Sequence, residues 1–140
     1  MSKFTKIRPE FVTFAPKELN PGVVYISMEY RTVLHMCCCG CGNKVVTPLA
    51  PGRWHLIYDG ETISLRPSIG NWSFSCQSHY WINSNEIVWA RQFTKSEIES
   101  VRAADRLAIK GYPHDAPEGG HTEGTGKNAS WWRRILRFFR

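Results

Sequence analysis

All five cysteines of this 140-residue chain fall in two short stretches. One reads His35-Met36-Cys37-Cys38-Cys39-Gly40-Cys41-Gly42, the other Cys76-Gln77-Ser78-His79. Sulfurs crowded this closely serve core packing badly. Thiolates and an imidazole in two clusters are instead the ligand set of a tetrahedral zinc ion. Cys76 and His79, three positions apart, form one half of such a site. For the other half, Cys38 and Cys41 have knuckle spacing, whereas Cys37, Cys39 and Cys41 alternate and would share a side only in an extended segment. Spacing alone leaves that choice open. Gly40 and Gly42 suit a turn in which the backbone must wrap closely around sulfur. The expectation is one zinc ion stapling two loops.

Other chemistries are less well supplied. A zinc hydrolase needs an open metal position and a placed acid or base, and the sequence has no His-Glu-x-x-His. Were the chain an enzyme, His35, His55 or Glu61 would be the residues to test. Ser68, Asn71 and Ser78 read as turn-capping residues, because no His–acid pair is evident beside them. No catalytic residue is therefore assigned. A redox switch would use whichever thiol a metal leaves free.

The elements that must position the cysteines are mostly strands. A loose alternation over 10–15 ends at Pro16 and suggests an edge strand. Asn20-Pro21-Gly22 marks a turn, followed by strands over 23–28 and 31–36 that lead into the first cluster. A short strand over 44–47 leaves it. Strands over 53–58 and 62–66 flank Asp59-Gly60-Glu61 as a hairpin, and 67–71 reads as an irregular connection. A second hairpin joins 79–82 to 86–90 through Asn83-Ser84-Asn85. Thr94-Lys95-Ser96-Glu97 is a capping box opening a helix over 96–110, with Ile98, Val101, Leu107 and Ile109 on its apolar stripe and Gly111 at its end. The fold class expected is α+β, mainly β: small zinc-stapled antiparallel hairpins with one C-terminal helix packed on a sheet, plus a flexible tail.

Three regions follow: a domain over 1–111, a linker over 112–130 rich in Pro, Gly, His and Glu, and a basic amphipathic segment over 131–140. Helical spacing in the last segment gathers Trp132, Ile135, Leu136 and Phe139 opposite Arg133, Arg137 and Arg140. It could dock a protein groove, fold back, or lie on an anionic membrane surface. The net charge is +6, but in residues 1–110 the 13 basic and 9 acidic side chains are scattered. That is compatible with nucleic acid without being a footprint for it. Nothing near Met1 resembles a leader, and no apolar run reaches membrane-spanning length, so a cytoplasmic location is expected. Cysteines in a reducing compartment favour metal over disulfides.

Over about residues 20–90 the chain resembles a bacterial and phage family, the domain of unknown function family numbered 6527. The likeness is carried by His35, Cys37, Cys39, Gly40, Cys41 and Gly42, by Trp54, Asp59-Gly60 and Ser64-Leu65, by Pro67-Ser68-Ile69-Gly70-Asn71-Trp72, and by Cys76-Gln77-Ser78-His79-Tyr80-Trp81-Ile82. The resemblance implies Cys37, Cys39 and Cys41 as ligands with Cys76 and His79, and leaves Cys38 as the optional cysteine. It also implies an adaptor or ligase-like accessory of a prokaryotic ubiquitin-like conjugation system. The function expected is a small zinc-binding interaction domain, ahead of a nucleic-acid-binding zinc protein and a zinc-dependent hydrolase. Its protein partner would meet Trp54, Trp72, Tyr80 and Trp81, with Trp132, Arg133 and Arg137 on the tail.

Overall fold

The computed structural model describes residues 3–111, which form two four-stranded sheets and one helix. The first sheet runs β1 (Arg8–Phe11), β2 (Val23–Ser27), β3 (Thr32–Met36), β4 (Lys44–Pro48), in that spatial order. The second runs β5 (His55–Tyr58), β6 (Ile63–Gly70), β7 (His79–Asn83), β8 (Glu86–Trp89). Tight turns make neighbours in sequence neighbours in space. Asp59 caps the β5–β6 turn, its carboxylate accepting from the amides of Glu61 (2.9 Å) and Thr62 (2.6 Å). At the β7–β8 turn Ser84 and Asn85 both take positive φ, 48° and 66°, the backbone that a two-residue hairpin of native twist requires. Asn85 Oδ1 then accepts from Ile63 N at 2.9 Å and ties the turn to β6.

Three features differ from the sequence reading. The first strand lies at Arg8–Phe11 rather than 10–15, and it pairs with β2 in parallel, where only antiparallel hairpins were expected. The segment between the two strands is long enough to carry the chain back to the starting end. The supposed connection over 67–71 is largely strand, because β6 continues to Gly70. Leu65 pairs with Ile82 but Ile69 with Tyr80, so β6 carries two residues more than β7 there. Pro67, which has no amide to give, falls inside this bulge. The helix α1 (Lys95–Lys110) has its capping box, with Thr94 bonded to Glu97 in both directions. However, only Ile98 of it is buried, and Leu107 is 70% exposed. Val101, Asp105 and Ile109 line a cavity instead of covering a sheet.

The core draws on both sheets: Val24, Ile26 and Val33 meet Ile63, Leu65, Ile69, Tyr80 and Ile82, all fully or almost fully buried. Each such aliphatic side chain contributes about 1.5–3 kcal/mol. The sheets are also stitched at both edges. Leu49 bridges to Trp54 between β4 and β5, and Lys6 bridges to Glu86 on β8. The N-terminal segment is laced along β8 by Ile87 N to Thr5 O (2.8 Å), Ile7 N to Asn85 O (2.9 Å) and Trp89 Nε1 to Phe4 O (3.1 Å). Phe4 N also reaches Cys38 O at 2.8 Å, so this segment touches the cysteine turn. The expected linker over 112–130 and the segment over 131–140, with Trp132, Arg133 and Arg137, lie outside the described residues. Among the described residues no helix is long and apolar enough to cross a membrane.

Candidate metal centre and candidate active site

The first cysteine cluster follows β3 as a turn. Cys37 N bonds to Asn43 O at 2.8 Å and Gly40 N to Cys37 O at 3.1 Å. Gly40 and Gly42 take φ of 86° and 83°, which side chains rarely adopt, and the reversal returns Cys39 and Cys41 toward Cys37. Across from them, the loop between β6 and β7 delivers Cys76. The Sγ atoms of Cys37, Cys39, Cys41 and Cys76 all lie within 4.8 Å of one another, a group that could hold a metal ion. Cys37 Sγ is 3.4 Å from Cys39 Sγ and 3.9 Å from Cys76 Sγ. Cys38 is outside this group. It is buried, and burial pushes its thiol up to about 12.

Electrostatics within the group are uneven. Burial raises the Cys37 thiol, opposed by the hydrogen bond with Ser78. Desolvation also raises Cys39. Cys41 is desolvated too, but donors from Asn43 and neighbouring thiols outweigh this and lower it to about 7. Burial raises two of these four facing thiols, Cys37 and Cys39, and no contact among the four sulfurs relieves both. A cation does, because it lets all four ionise together.

A buried polar layer lies under the cluster. Ser78 Oγ is 3.0 Å from Cys37 Sγ and 2.9 Å from Asn71 Nδ2, and Asn71 Nδ2 also points to Cys37 Sγ at 3.6 Å. Tyr80 OH bonds His35 Nε2 at 2.8 Å and receives Cys38 N at 3.5 Å. His35 Nδ1 is buried without a partner. Burial lowers the His35 pKa to about 4, so the ring is neutral at pH 7.

His79 does not join the thiols. At the start of β7 successive side chains alternate sides. Ser78 and Tyr80 face the cysteine turn, and His79 between them faces the other way, Nε2 2.8 Å from Ser68 Oγ on β6. Cys76 and His79 would be a ligand pair only if the turn continued through 79. Tyr80, expected on a partner-binding surface, is fully buried for the same reason. Trp54, Trp72 and Trp81 do reach a common surface: with Ser68, His79, Phe93 and the α1 face they line a cavity of about 490 Å³. Phe93 stacks on Trp72 at 5.4 Å, and their rings lie 4.5 and 5.0 Å from the imidazole. Trp81 is 5.4 Å from it. A Cβ at Gly70 would overlap the Trp72 indole, so this wall needs glycine there.

The His79 pKa is lowered, chiefly by desolvation and further by the Arg91 guanidinium, with the Arg91 main-chain carbonyl pulling the other way. That carbonyl approaches the ring without completing a hydrogen bond, and Nδ1 remains buried and unpartnered. A neutral imidazole, one nitrogen on a serine hydroxyl, walled by aromatic rings, can act as a base toward that hydroxyl. Ser68 is the residue the sequence reading assigned to capping. It lies in the β6 bulge, a device that re-aims a side chain, and strand pairing of Gly70 with His79 brings the two together. No local motif signals this, since the pair is visible only once β6 and β7 are known to be neighbours. His55 and Glu61 are exposed on β5 and its turn, and His35 is in the core; none lines the cavity.

Fold and site together define a small two-sheet β protein with a four-cysteine centre on one side of β7 and a Ser–His pair in a cavity on the other. A family described as bacterial ubiquitination-like system serine protease (BubE) matches residues 11–90. That span is more than half of the chain, and the chain belongs to this family. Membership ties the protein to a bacterial ubiquitination-like system. No curated protein and no solved structure matches the chain.

Proposed function

We propose that the chain is a serine hydrolase that cleaves acyl bonds of a protein substrate in its ubiquitination-like system, with Ser68 as nucleophile and His79 as general base. The observation that carries this is the 2.8 Å contact of Ser68 Oγ with His79 Nε2 inside the aromatic cavity. The family's description as a serine protease supports it. In this reading Ser68 Oγ attacks the substrate carbonyl as its proton passes to Nε2. The imidazolium then returns that proton to the leaving nitrogen, and water repeats the sequence to free the enzyme. The Arg91 carbonyl is the acceptor suited to orient the Nδ1 proton, in the place where an acid often stands. Trp54, Trp72 and Trp81 give the substrate chain an apolar bed. An adaptor role, expected ahead of an enzyme from sequence, gives way to this reading.

The metal in this reading is one zinc ion held by Cys37, Cys39, Cys41 and Cys76. Four thiolates around zinc, with bonds of ~2.3 Å, stand about 3.8 Å apart, and the spacings of 3.4 and 3.9 Å at Cys37 are close to that. Four protein ligands leave no open position, so zinc supplies structure rather than a reacting water. Unoxidised thiols suit the cytoplasm.

A fluorophosphonate probe, which forms an adduct with activated serines, tests the assignment. Mass spectrometry is expected to map the adduct to Ser68, and His79→Ala to reduce labelling by on the order of 10³-fold or more. Labelling elsewhere, or none in folded protein, would overturn it.

A further inference from the structure

We infer that Ser78 and Asn71 are positioning residues, which couple the Ser68–His79 pair to the four-cysteine centre without either residue touching substrate. This rests on the reading of Ser68 and His79 given above. The two functional sites share two strand ends. Ser68 is three residues before Asn71, and His79 directly follows Ser78. The final rungs between β6 and β7 are Gly70 with His79, then Asn71 N to Ser78 O at 2.9 Å. Beyond them the chain makes a loop held by Phe74 N to Asn71 O (3.1 Å) and Gln77 N to Phe74 O (3.0 Å), with Gln77 at φ 43°. On the other side of β7 Ala90 N bonds to His79 O at 2.9 Å, and beyond Asn71 and Ser78 the β6–β7 ladder gives way to the contacts of these two side chains with the cysteines.

Donor and acceptor counts give those contacts a direction. The Asn71 amide can only donate through Nδ2, so Ser78 Oγ accepts at 2.9 Å. Ser78 has one proton left to give, and Cys37 Sγ lies 3.0 Å away to take it. Cys37 Sγ also receives the second Nδ2 contact at 3.6 Å. Both strand ends thus bond to Cys37 Sγ, with Cys76 Sγ a further 3.5 Å contact of Ser78 Oγ, and a metal held by these thiolates would fix both sulfurs in place. Second-layer partners of this kind orient a metal's ligands, and here the same bonds act outward on the neighbouring residue. With the Ser78 hydroxyl removed, the residue before His79 loses its side-chain anchor while its backbone bonds remain, and the Ser68–His79 contact depends on placement within a fraction of an ångström. Two functions that look separate, on opposite sides of β7, are joined through one residue step.

The test uses the full-length chain loaded with zinc, comparing Ser78→Ala, Asn71→Ala and Ser78→Thr. Ser78→Ala and Asn71→Ala are expected to keep one equivalent of zinc yet react with fluorophosphonate at Ser68 about 10- to 100-fold more slowly. Ser78→Thr, which keeps the hydroxyl, recovers most of the rate. Histidine-selective ¹⁵N NMR supplies a readout free of activity. The His79 ring signals move in Ser78→Ala while those of exposed His55 stay fixed. Zinc-replete alanine variants with unchanged labelling and unchanged His79 signals would overturn the inference. So would a loss of labelling that merely follows loss of zinc. Wild-type protein that fails to label sinks the hydrolase reading instead, and the NMR comparison still decides the coupling.

Discussion

Replacing Tyr80 by Phe removes one atom from the centre of the molecule and leaves its shape intact. Tyr80 is completely buried, and its hydroxyl is 2.8 Å from His35 Nε2. Because His35 Nδ1 is already unpartnered, the change leaves a buried imidazole with no hydrogen bond at all. It also removes the 3.5 Å contact from Cys38 N. Stranding a buried polar group costs about 1–3 kcal/mol. For a domain of roughly 100 residues that corresponds to a melting temperature lowered by about 4–12 °C. Charge does not enter at pH 7, since burial holds His35 neutral with its pKa at about 4. The companion variant Tyr80→Phe/His35→Leu removes both polar partners together, so its loss is expected to fall short of the summed single losses by about 1–2 kcal/mol. Urea unfolding of zinc-replete protein at pH 7 measures all four corners of this cycle. A Tyr80→Phe loss below about 0.5 kcal/mol, or strict additivity in the double variant, would refute the hydrogen-bonded account of this core.

The acid limb of kcat/KM is expected below pH 6.5, because desolvation lowers the His79 pKa. Activity falls as pH drops through that value, since a protonated Nε2 cannot take the Ser68 proton. A limb above pH 6.5 in a pH–rate profile would count against His79 as the base. At the cysteine centre, elemental analysis is expected to find one zinc in Cys38→Ala and little in Cys41→Ser or Cys76→Ser. A structural zinc contributes on the order of 10–16 kcal/mol in small domains, so circular dichroism of the latter two should show loss of fold, and intact spectra would contradict the staple.

Most strands were legible because alternation and turn chemistry are local. Asp59-Gly60 and Asn83-Ser84-Asn85 announce their hairpins, and Thr94 with Glu97 announces the helix start. The cysteine turn was legible by crowding alone. Tertiary facts were not. The parallel pairing of β1 with β2 depends on how the long segment after Phe11 folds back. Pro67 looks like a strand breaker, but it occupies a bulge where no amide is needed. His79 reads as a ligand by its distance from Cys76, and one step of strand alternation turns it away. Ser68 becomes chemical only through that same step.

The lacing of residues 4–7 along β8 also bears on how the protein is made. Its bonds join positions some 80 apart, Trp89 Nε1 to Phe4 O among them. At a synthesis rate of ~5–20 residues per second, residues 4–7 are made several seconds ahead of their β8 partners. The chain therefore cannot complete its hydrogen-bonded circuit in the order it is synthesised. Residues 4–7 cannot be seated beside Cys38 and β8 until β8 has been made, so ribosome-bound chains that stop short of residue 85 should leave them open to proteases.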